Sequence, residues 1–258
     1  MTLSVAMITM NEEANLPRTL DSVRFADELV IVDSFSTDRT LEIARSYNAT
    51  IFVEAFKGHG GQKNSAIDKC TSDWILLLDA DEVLSSPLQH SIRELLASKP
   101  KHSAYWINRN NQIFGRWMRH GGFYPDRKLR LFRRGAARMT NEGSPHSTPF
   151  HDGPSGHIQG DLLHYAYPTL PLYLEHMGRY SNEMARLAVA RGKISRSIFS
   201  FIWNVVLNPL ATFFYNYIVR LGFLDGREGL LLHLYHSVYV SWKYAKAWEL
   251  TRTYTLNI

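Results

Sequence analysis

The sequence predicts an α/β fold built on a mostly parallel sheet, and three observations carry that prediction. Short apolar runs without strict alternation recur through the first third of the chain, as strands buried on both faces require. Segments with apolar residues at helical spacing separate them. The resulting order β-α-β-α-β-α-β demands parallel pairing with right-handed crossovers, an architecture of the nucleotide-binding type.

Leu3 to Thr9 is apolar with β-branched content, a first strand that ends in the polar turn Thr9-Met10-Asn11-Glu12-Glu13. From Asn15 to Arg24, Leu16, Leu20 and Val23 share one helical face. Glu28 to Asp33 is the second strand, Ser34 to Asp38 a turn, and Leu41 to Tyr47 a helix. Thr50 to Val53 is a short third strand, Gly58 to Gly61 a loop, and Gln62 to Cys70 a helix. Ile75 to Leu78 is the fourth strand. Ser86-Pro87 opens a helix over Leu88 to Leu96, with proline tolerated in the first turn. Ala104 to Phe114 reads as a strand with a turn at Asn110-Asn111, and Leu129 to Arg134 alternates up to a turn at Gly135. Met139 to His164, rich in Gly, Pro, His and Ser, reads as a long loop region, and loops carry function. Leu170 to Ala190 and Leu230 to Glu249 read as helices.

Ser197 to Phe223 is strongly apolar and aromatic, but Asn204, Asn208-Pro209 and Asn216 divide it into pieces shorter than the ~20 residues of a membrane span. Flanked by Arg196 and Arg220, it reads either as a helical hairpin on a membrane surface or as a helix buried against the domain or a second subunit of a homo-oligomer.

The chain's 258 residues suit one large domain, or one domain with a helical appendage. A hydrophobic share of 45% excludes a disordered chain and a multi-span membrane protein. The single cysteine, Cys70, excludes an internal disulfide framework and a cysteine-rich zinc site. Met1 to Val5 shows no basic stretch leading into a long apolar region, so no signal peptide is expected. The net charge of +5 is concentrated: Arg109, Arg116, Arg119, Arg127, Lys128, Arg130, Arg133, Arg134 and Arg138 alternate with aromatics. Such a stretch suits nucleic acid, an anionic lipid surface, or plain solvated arginine.

The sequence Asp79-Ala80-Asp81-Glu82, at the end of the fourth strand, is the most informative chemistry in the chain. Ligands of open α/β sheets sit outside the carboxyl ends of strands. Paired carboxylates repel unless a proton or cation separates them, and a hard divalent ion that keeps its other positions on water and substrate phosphates meets that need. The bland alternative is a solvated acidic turn. No Gly-x-Gly-x-x-Gly follows the first strand and no Walker lysine appears, so a glycine-rich phosphate loop is excluded.

Met7-Ile-Thr-Met-Asn-Glu-Glu13, Val32-Asp-Ser-Phe-Ser-Thr-Asp38, Gln62-Lys-Asn64 and Leu78-Asp-Ala-Asp-Glu82, in that order, resemble family 2 glycosyltransferases of the GT-A fold. Tyr124-Pro-Asp-Arg-Lys-Leu-Arg-Leu-Phe-Arg133 resembles a narrower subgroup, the bacterial lipopolysaccharide inner-core β-1,4-glucosyltransferases that act on a heptose. The resemblance implies a GT-A catalytic domain over residues 1–165, its nucleotide-sugar half about 1–100 and its acceptor half about 101–165, followed by a helical region over 166–258. It implies a UDP-sugar donor bound by Thr9, Asn11, Glu13, Asp33, Gln62, Lys63 and Asp79. Asp38 could instead cap the following helix. Lys63 departs from the arginine often found there, keeping the charge and losing the bidentate fork.

The resemblance also implies a Mg2+ or Mn2+ ion on Asp81, with His164 as a further ligand and His146, His151 and His157 competing for that role. It implies an inverting transfer with one general base; Glu142 is expected in that role, with Asp126 and Asp152 as alternatives. Arg127, Arg130 and Arg133 would face acceptor phosphates or anionic lipid. The expected acceptor is the lipopolysaccharide core, at the cytoplasmic face of the inner membrane. A polyprenyl-linked sugar, capsule or protein glycan is the alternative acceptor, and a silent nucleotide-sugar-binding scaffold the non-enzymatic one. A nucleic-acid partner is not expected, because it leaves the Asp-x-Asp pair unexplained.

Overall fold

A computed structural model describes residues 1–140 and 148–255. The chain divides into two compact units, Met1–Asn110 with Pro125–His164, and Asn111–Tyr124 with Tyr165–Ile258.

The first unit opens with β1 (Leu3–Thr9), α1 (Leu16–Asp21), β2 (Glu28–Asp33), α2 (Thr40–Ser46), β3 (Thr50–Val53), α3 (Gly58–Asp68) and β4 (Trp74–Asp79). β1 lies between β2 and β4, β3 flanks β2, and all these pairings are parallel, as the βαβ order requires. Val5, Met7, Ile31, Leu76 and Leu78 bury on one face of the sheet, and Ala6, Val30, Val32, Ile75 and Leu77 on the other. Burial on both faces explains why these strands do not alternate in sequence. Expected and observed limits agree for β1, β2 and β3. The loop expected at Gly58–Gly61 is instead the first turn of α3: Gly60 and Gly61 are buried, and glycine lets the backbone pack close there.

Beyond β4 come β5 (Glu82–Leu84), α4 (Ser86–Ala97), β6 (Ala104–Ile113), β7 (Arg116–Met118), β8 (Asp126–Arg133), β9 (Ala137–Met139), β10 (Pro149–His151) and β11 (Gly156–Tyr167). The sheet order is β3-β2-β1-β4-β8-β6-β11-β5, with β7 on β6. β4–β8, β8–β6 and β11–β5 are antiparallel. The Met139–His164 region is not all loop, for it holds β10 and, from Gly156 on, β11. Gly160 lies at φ +101 within that strand, where an added Cβ would stand 2.5 Å from the Leu88 backbone nitrogen. The glycine serves a close approach to the first turn of α4. Nor does the chain turn at Asn110-Asn111: β6 continues to Ile113. The reversal falls at Phe114-Gly115, where positive φ at both central residues makes a type I′ hairpin onto β7.

The second unit holds this hairpin, α5 (Leu170–Ala190), α6 (Ile198–Ile202), α7 (Asn208–Phe214) and α8 (Gly226–Thr255). π-helical turns at Trp203–Leu207 and Tyr215–Val219 join α6 and α7 into one helix, Ile198–Val219. The expected break at Asn208-Pro209 does not occur. Pro209 has no N–H for the Val205 carbonyl, and the Ser241 hydroxyl of α8 donates to it instead, at 2.8 Å.

Glu54, just past β3, ties that edge to α3. It accepts from Lys69 Nζ at 2.7 Å, Ser65 Oγ at 2.6 Å and Lys57 Nζ at 2.9 Å. Lys69 above all, then Ser65 and Lys57, pulls its carboxyl from an ordinary 4.5 down to about 2. A folded pKa below the unfolded one stabilises above the unfolded value and is lost as pH falls through the folded one. Glu54→Gln is therefore expected to lower the urea midpoint at pH 7. The gap from wild type should narrow below pH 4.5 and close towards pH 2.

Candidate active site

The carboxyl ends of β1, β2 and β4 meet at one edge of the first unit. There the loops after β1 and β2 are sewn together by reciprocal hydrogen bonds. The Asn11 amide donates to Ser36 Oγ, and Asn11 Oδ1 accepts from the Thr37 amide, both at 2.8 Å. The Glu13 amide donates to Asp38 Oδ2 at 3.1 Å, while Glu13 Oε2 accepts from the Arg39 amide at 3.0 Å. Asp38 Oδ1 accepts from the Thr40 amide at 3.0 Å, at the entry to α2, whose N-cap position is Arg39. Asp33 is fully buried and accepts from Thr9 Oγ1 and the Ser36 amide, both at 2.8 Å. Asp33 is thus a bracket for the β2 loop. Gln62, also fully buried, donates to Ser34 Oγ at 3.2 Å and accepts from the Lys57 amide at 3.2 Å.

Thr19 of α1 fixes the turn after β4 by donating to the Ala80 carbonyl at 2.6 Å. Lys63 Nζ lies 2.6 Å from Asp79 Oδ1, and Arg130 Nη2 2.7 Å from Asp79 Oδ2. Burial pushes the Asp79 carboxyl up, but the Lys63 and Arg130 charges overcome it and hold it well below the usual range. Glu82 is fully buried. It accepts from Arg130 at 2.6 Å, Arg109 at 3.2 Å and the Asp79 amide at 3.1 Å. Arg109 also binds Asp126 at 2.7 Å, and Lys128 reaches Asp126 at 3.0 Å.

Asp81 faces a different partner, His164 of β11, whose Nε2 lies 3.1 Å from Asp81 Oδ2. Burial raises the Asp81 carboxyl, and His164 more than offsets it, so the net shift is downward. Glu12 completes the acidic edge. Burial pushes its carboxyl up, a hydrogen bond from Asn15 opposes this, and Asp81, Asp38 and Asp79 push it further up. Among the described residues no third His, Cys, Asp or Glu joins Asp81 and His164 as a ready ligand set. Two side-chain ligands beside surplus negative charge fit an ion that takes its other ligands from water and a diphosphate.

Of the competing histidines, His151 binds the Ala136 carbonyl at 2.8 Å and His157 binds Asn108 at 3.0 Å, while His146 lies outside the described residues. Glu142 lies outside them too. Asp126 is held below the usual range by Arg109 and Lys128 against the effect of burial, which makes it a poor proton acceptor; Asp152 is exposed. Arg127, Arg130 and Arg133 do not form one patch. Arg127 and Arg133 are exposed, whereas Arg130 is buried in the pairs above. Sequence reasoning missed Glu82, Arg109 and Glu12 as members of the site. Only the acidic dipeptides Asp81-Glu82 and Glu12-Glu13 hinted at two of them.

Removing one member of a buried ion network strands the others. Glu82→Leu is expected to destabilise the protein by about 3–5 kcal/mol in urea unfolding. Adding Arg130→Met to it should recover part of that loss, the coupling a double-mutant cycle reads.

The family model "Glycosyl transferase family 2" matches residues 4–152. The lipopolysaccharide core biosynthesis glycosyltransferase LpsC of Rhizobium meliloti is 30% identical over 236 residues, 88% of this chain and 87% of that protein. An uncharacterised glycosyltransferase of Rickettsia typhi is 31% identical over 241 residues, 89% of this chain and 80% of that one. Among solved structures, the mannosyltransferase PcManGT of Pyrobaculum calidifontis, in complex with GDP-Man and Mn2+, aligns with a TM-score of 0.54 at 14% identity, over 95% of this chain and 86% of that chain. Low identity lets that last likeness speak for the fold alone, which is GT-A. With its mostly parallel nucleotide-side sheet and a family match across more than half its length, the chain belongs to glycosyl transferase family 2.

Proposed function

We propose that the protein transfers a hexose, glucose in the reading favoured here, from a UDP-sugar to a heptose of the lipopolysaccharide core. On this reading it works as a peripheral protein on the cytoplasmic face of the inner membrane. The observation that carries the reading is the Asp79-x-Asp81 pair at the end of β4, with His164 Nε2 3.1 Å from Asp81. The likeness to LpsC supports the lipopolysaccharide acceptor, and the Tyr124–Arg133 stretch supports the heptose.

Asp81 and His164 would hold a Mg2+ or Mn2+ ion, which when bound neutralises charge on the departing diphosphate. The paired loops after β1 and β2, with Thr9, Asn11, Glu13 and Asp33, and the buried Gln62 shape the nucleoside pocket. Lys63 and Arg130 hold the two oxygens of Asp79, whose remaining lone pairs would accept from the ribose or a metal-bound water. The acceptor hydroxyl attacks the anomeric carbon from the face opposite UDP and gives its proton to the Glu142 carboxylate. The carbon–oxygen bond to the diphosphate breaks with inversion, and UDP leaves with the bonding pair.

Asp81→Ala is expected to abolish UDP release from UDP-glucose with a heptose-terminated acceptor, and EDTA to do the same to wild type. Full turnover in EDTA would defeat the metal assignment. Glu142→Gln is expected to lower kcat by about 10²–10⁴-fold while leaving UDP affinity intact. Equal turnover with other nucleotide sugars, or on a polyprenyl-linked or protein acceptor, would redirect the specificity without touching the chemistry.

A further inference from the structure

The helix Ile198–Val219 is long and apolar enough to cross a membrane, and almost none of it is buried. Its exposure has a strict pattern. Positions 198–199, 202–203, 206–207, 210–211, 214–215 and 218–219 are exposed, and the residues between them are covered or half-covered. Every exposed position in that series is apolar or aromatic, among them Phe199, Trp203, Leu210 and Phe214. Ser200, Asn204, Asn208, Thr212 and Asn216 all fall on the half-covered side. That side meets α8, through the Ser241–Val205 bond and the packing of Phe201 on Trp248 at 4.9 Å between ring centroids. A helix of a water-soluble surface turns its apolar stripe inward and its polar face outward. This helix does the reverse.

Charge supplies the second, independent observation. No Asp or Glu occurs between Glu183 and Asp225, while Arg186, Arg191, Lys193, Arg196 and Arg220 do. An apolar, aromatic stripe flanked along the chain by cations alone is complementary to an anionic lipid surface. The covered side argues against a span. α8, which packs along this helix, carries Arg227, Glu228, Lys243, Lys246 and Glu249, and those charges would have to enter hydrocarbon with it.

We propose that Ile198–Val219 lies in the plane of an anionic bilayer, its outward stripe sunk to the acyl boundary and its flanking arginines and lysine on lipid phosphates. The inference deepens the proposed function, on which it rests only for the idea of a lipid-borne acceptor.

The test is flotation of the full chain with vesicles of phosphatidylcholine, with and without phosphatidylglycerol. Flotation is expected with the anionic vesicles, weakening in high salt as surface electrostatics are screened. Carbonate at high pH should release the protein, as it does an interfacial helix. The combined substitution Trp203→Glu, Leu207→Glu and Phe214→Glu, all at exposed positions, should cut partitioning about tenfold or more. Arg191→Gln with Lys193→Gln and Arg196→Gln tests the charge term without altering the stripe, and should weaken binding to anionic vesicles alone. No flotation, resistance to carbonate, or unchanged flotation of the glutamate variant would overturn the proposal. So would a discrete dimer by light scattering that the glutamate variant dissolves while wild type ignores vesicles. The melting shift with UDP and Mn2+ is read in parallel, and its retention shows each variant folded. Its absence in wild type with flotation intact would count against the donor reading and leave this one standing.

Discussion

Too much negative charge stands at the end of β4, and the arrangement of this edge follows from how it is balanced. Glu12, Asp79, Asp81 and Glu82 converge on one loop system. Carboxylates this close cannot all remain ionised without compensation. Two of them are compensated from within. Asp79 is gripped on one oxygen by Lys63 and on the other by Arg130, and Glu82 is shared by Arg130 and Arg109. Arg130 thereby links the strand end carrying Asp79 to β5, and Arg109 carries the chain of pairs on to Asp126 and Lys128. Among the described residues neither Asp81 nor Glu12 forms an ion pair with a lysine or arginine, though the Arg109 charge reaches Asp81 from a distance. Asp81 meets a histidine that can equally serve as a metal ligand, and Glu12 feels Asp81 and Asp79 as repulsion. Internal charge balance thus stops one residue short of the position where a cation-bearing ligand would complete it.

That division accounts for what could be read in the sequence. The parallel strands announced themselves because burial on both faces leaves uninterrupted apolar runs. Asp79 and Asp81 were legible as a pair, since they sit in one tetrapeptide at a strand end. His164 was legible only as one of several histidines in a glycine-rich stretch. What selects it is the pairing of β11 with β5, where His164 stands opposite Glu82. The roles of Glu82, Arg109 and Arg130 were hidden for the same reason. Glu82 meets Arg109 27 residues away and Arg130 48 residues away, and Arg130 meets Asp79 51 residues away, across β4, β5, β6 and β8, and a sequence carries no register between strands that distant. Arg130 looked like one more member of a basic surface, yet burial and pairing set it apart from Arg127 and Arg133. Glycine misled in the first turn of α3, because close packing uses the same residue as a turn.

The outward stripe on Ile198–Val219 shows why composition alone could not settle that segment. On a regular α-helix, a pattern repeating every four residues drifts by about 40° at each step, since successive residues are 100° apart. Five such steps would carry the stripe past halfway round the helix and bury part of it against α8. The two π-helical turns open the local spiral to i→i+5 bonding, and wider turns hold a four-residue repeat closer to one face. Pro209 starts the α-helical piece between them, and Ser241 answers the carbonyl that the proline leaves without a donor. Asn208-Pro209, which reads in sequence as a break, is therefore part of what keeps Trp203, Leu207 and Phe214 on the same outer face. A stripe maintained against the natural pitch of the helix, with asparagines on the protein side of it, is organised for a surface outside this unit.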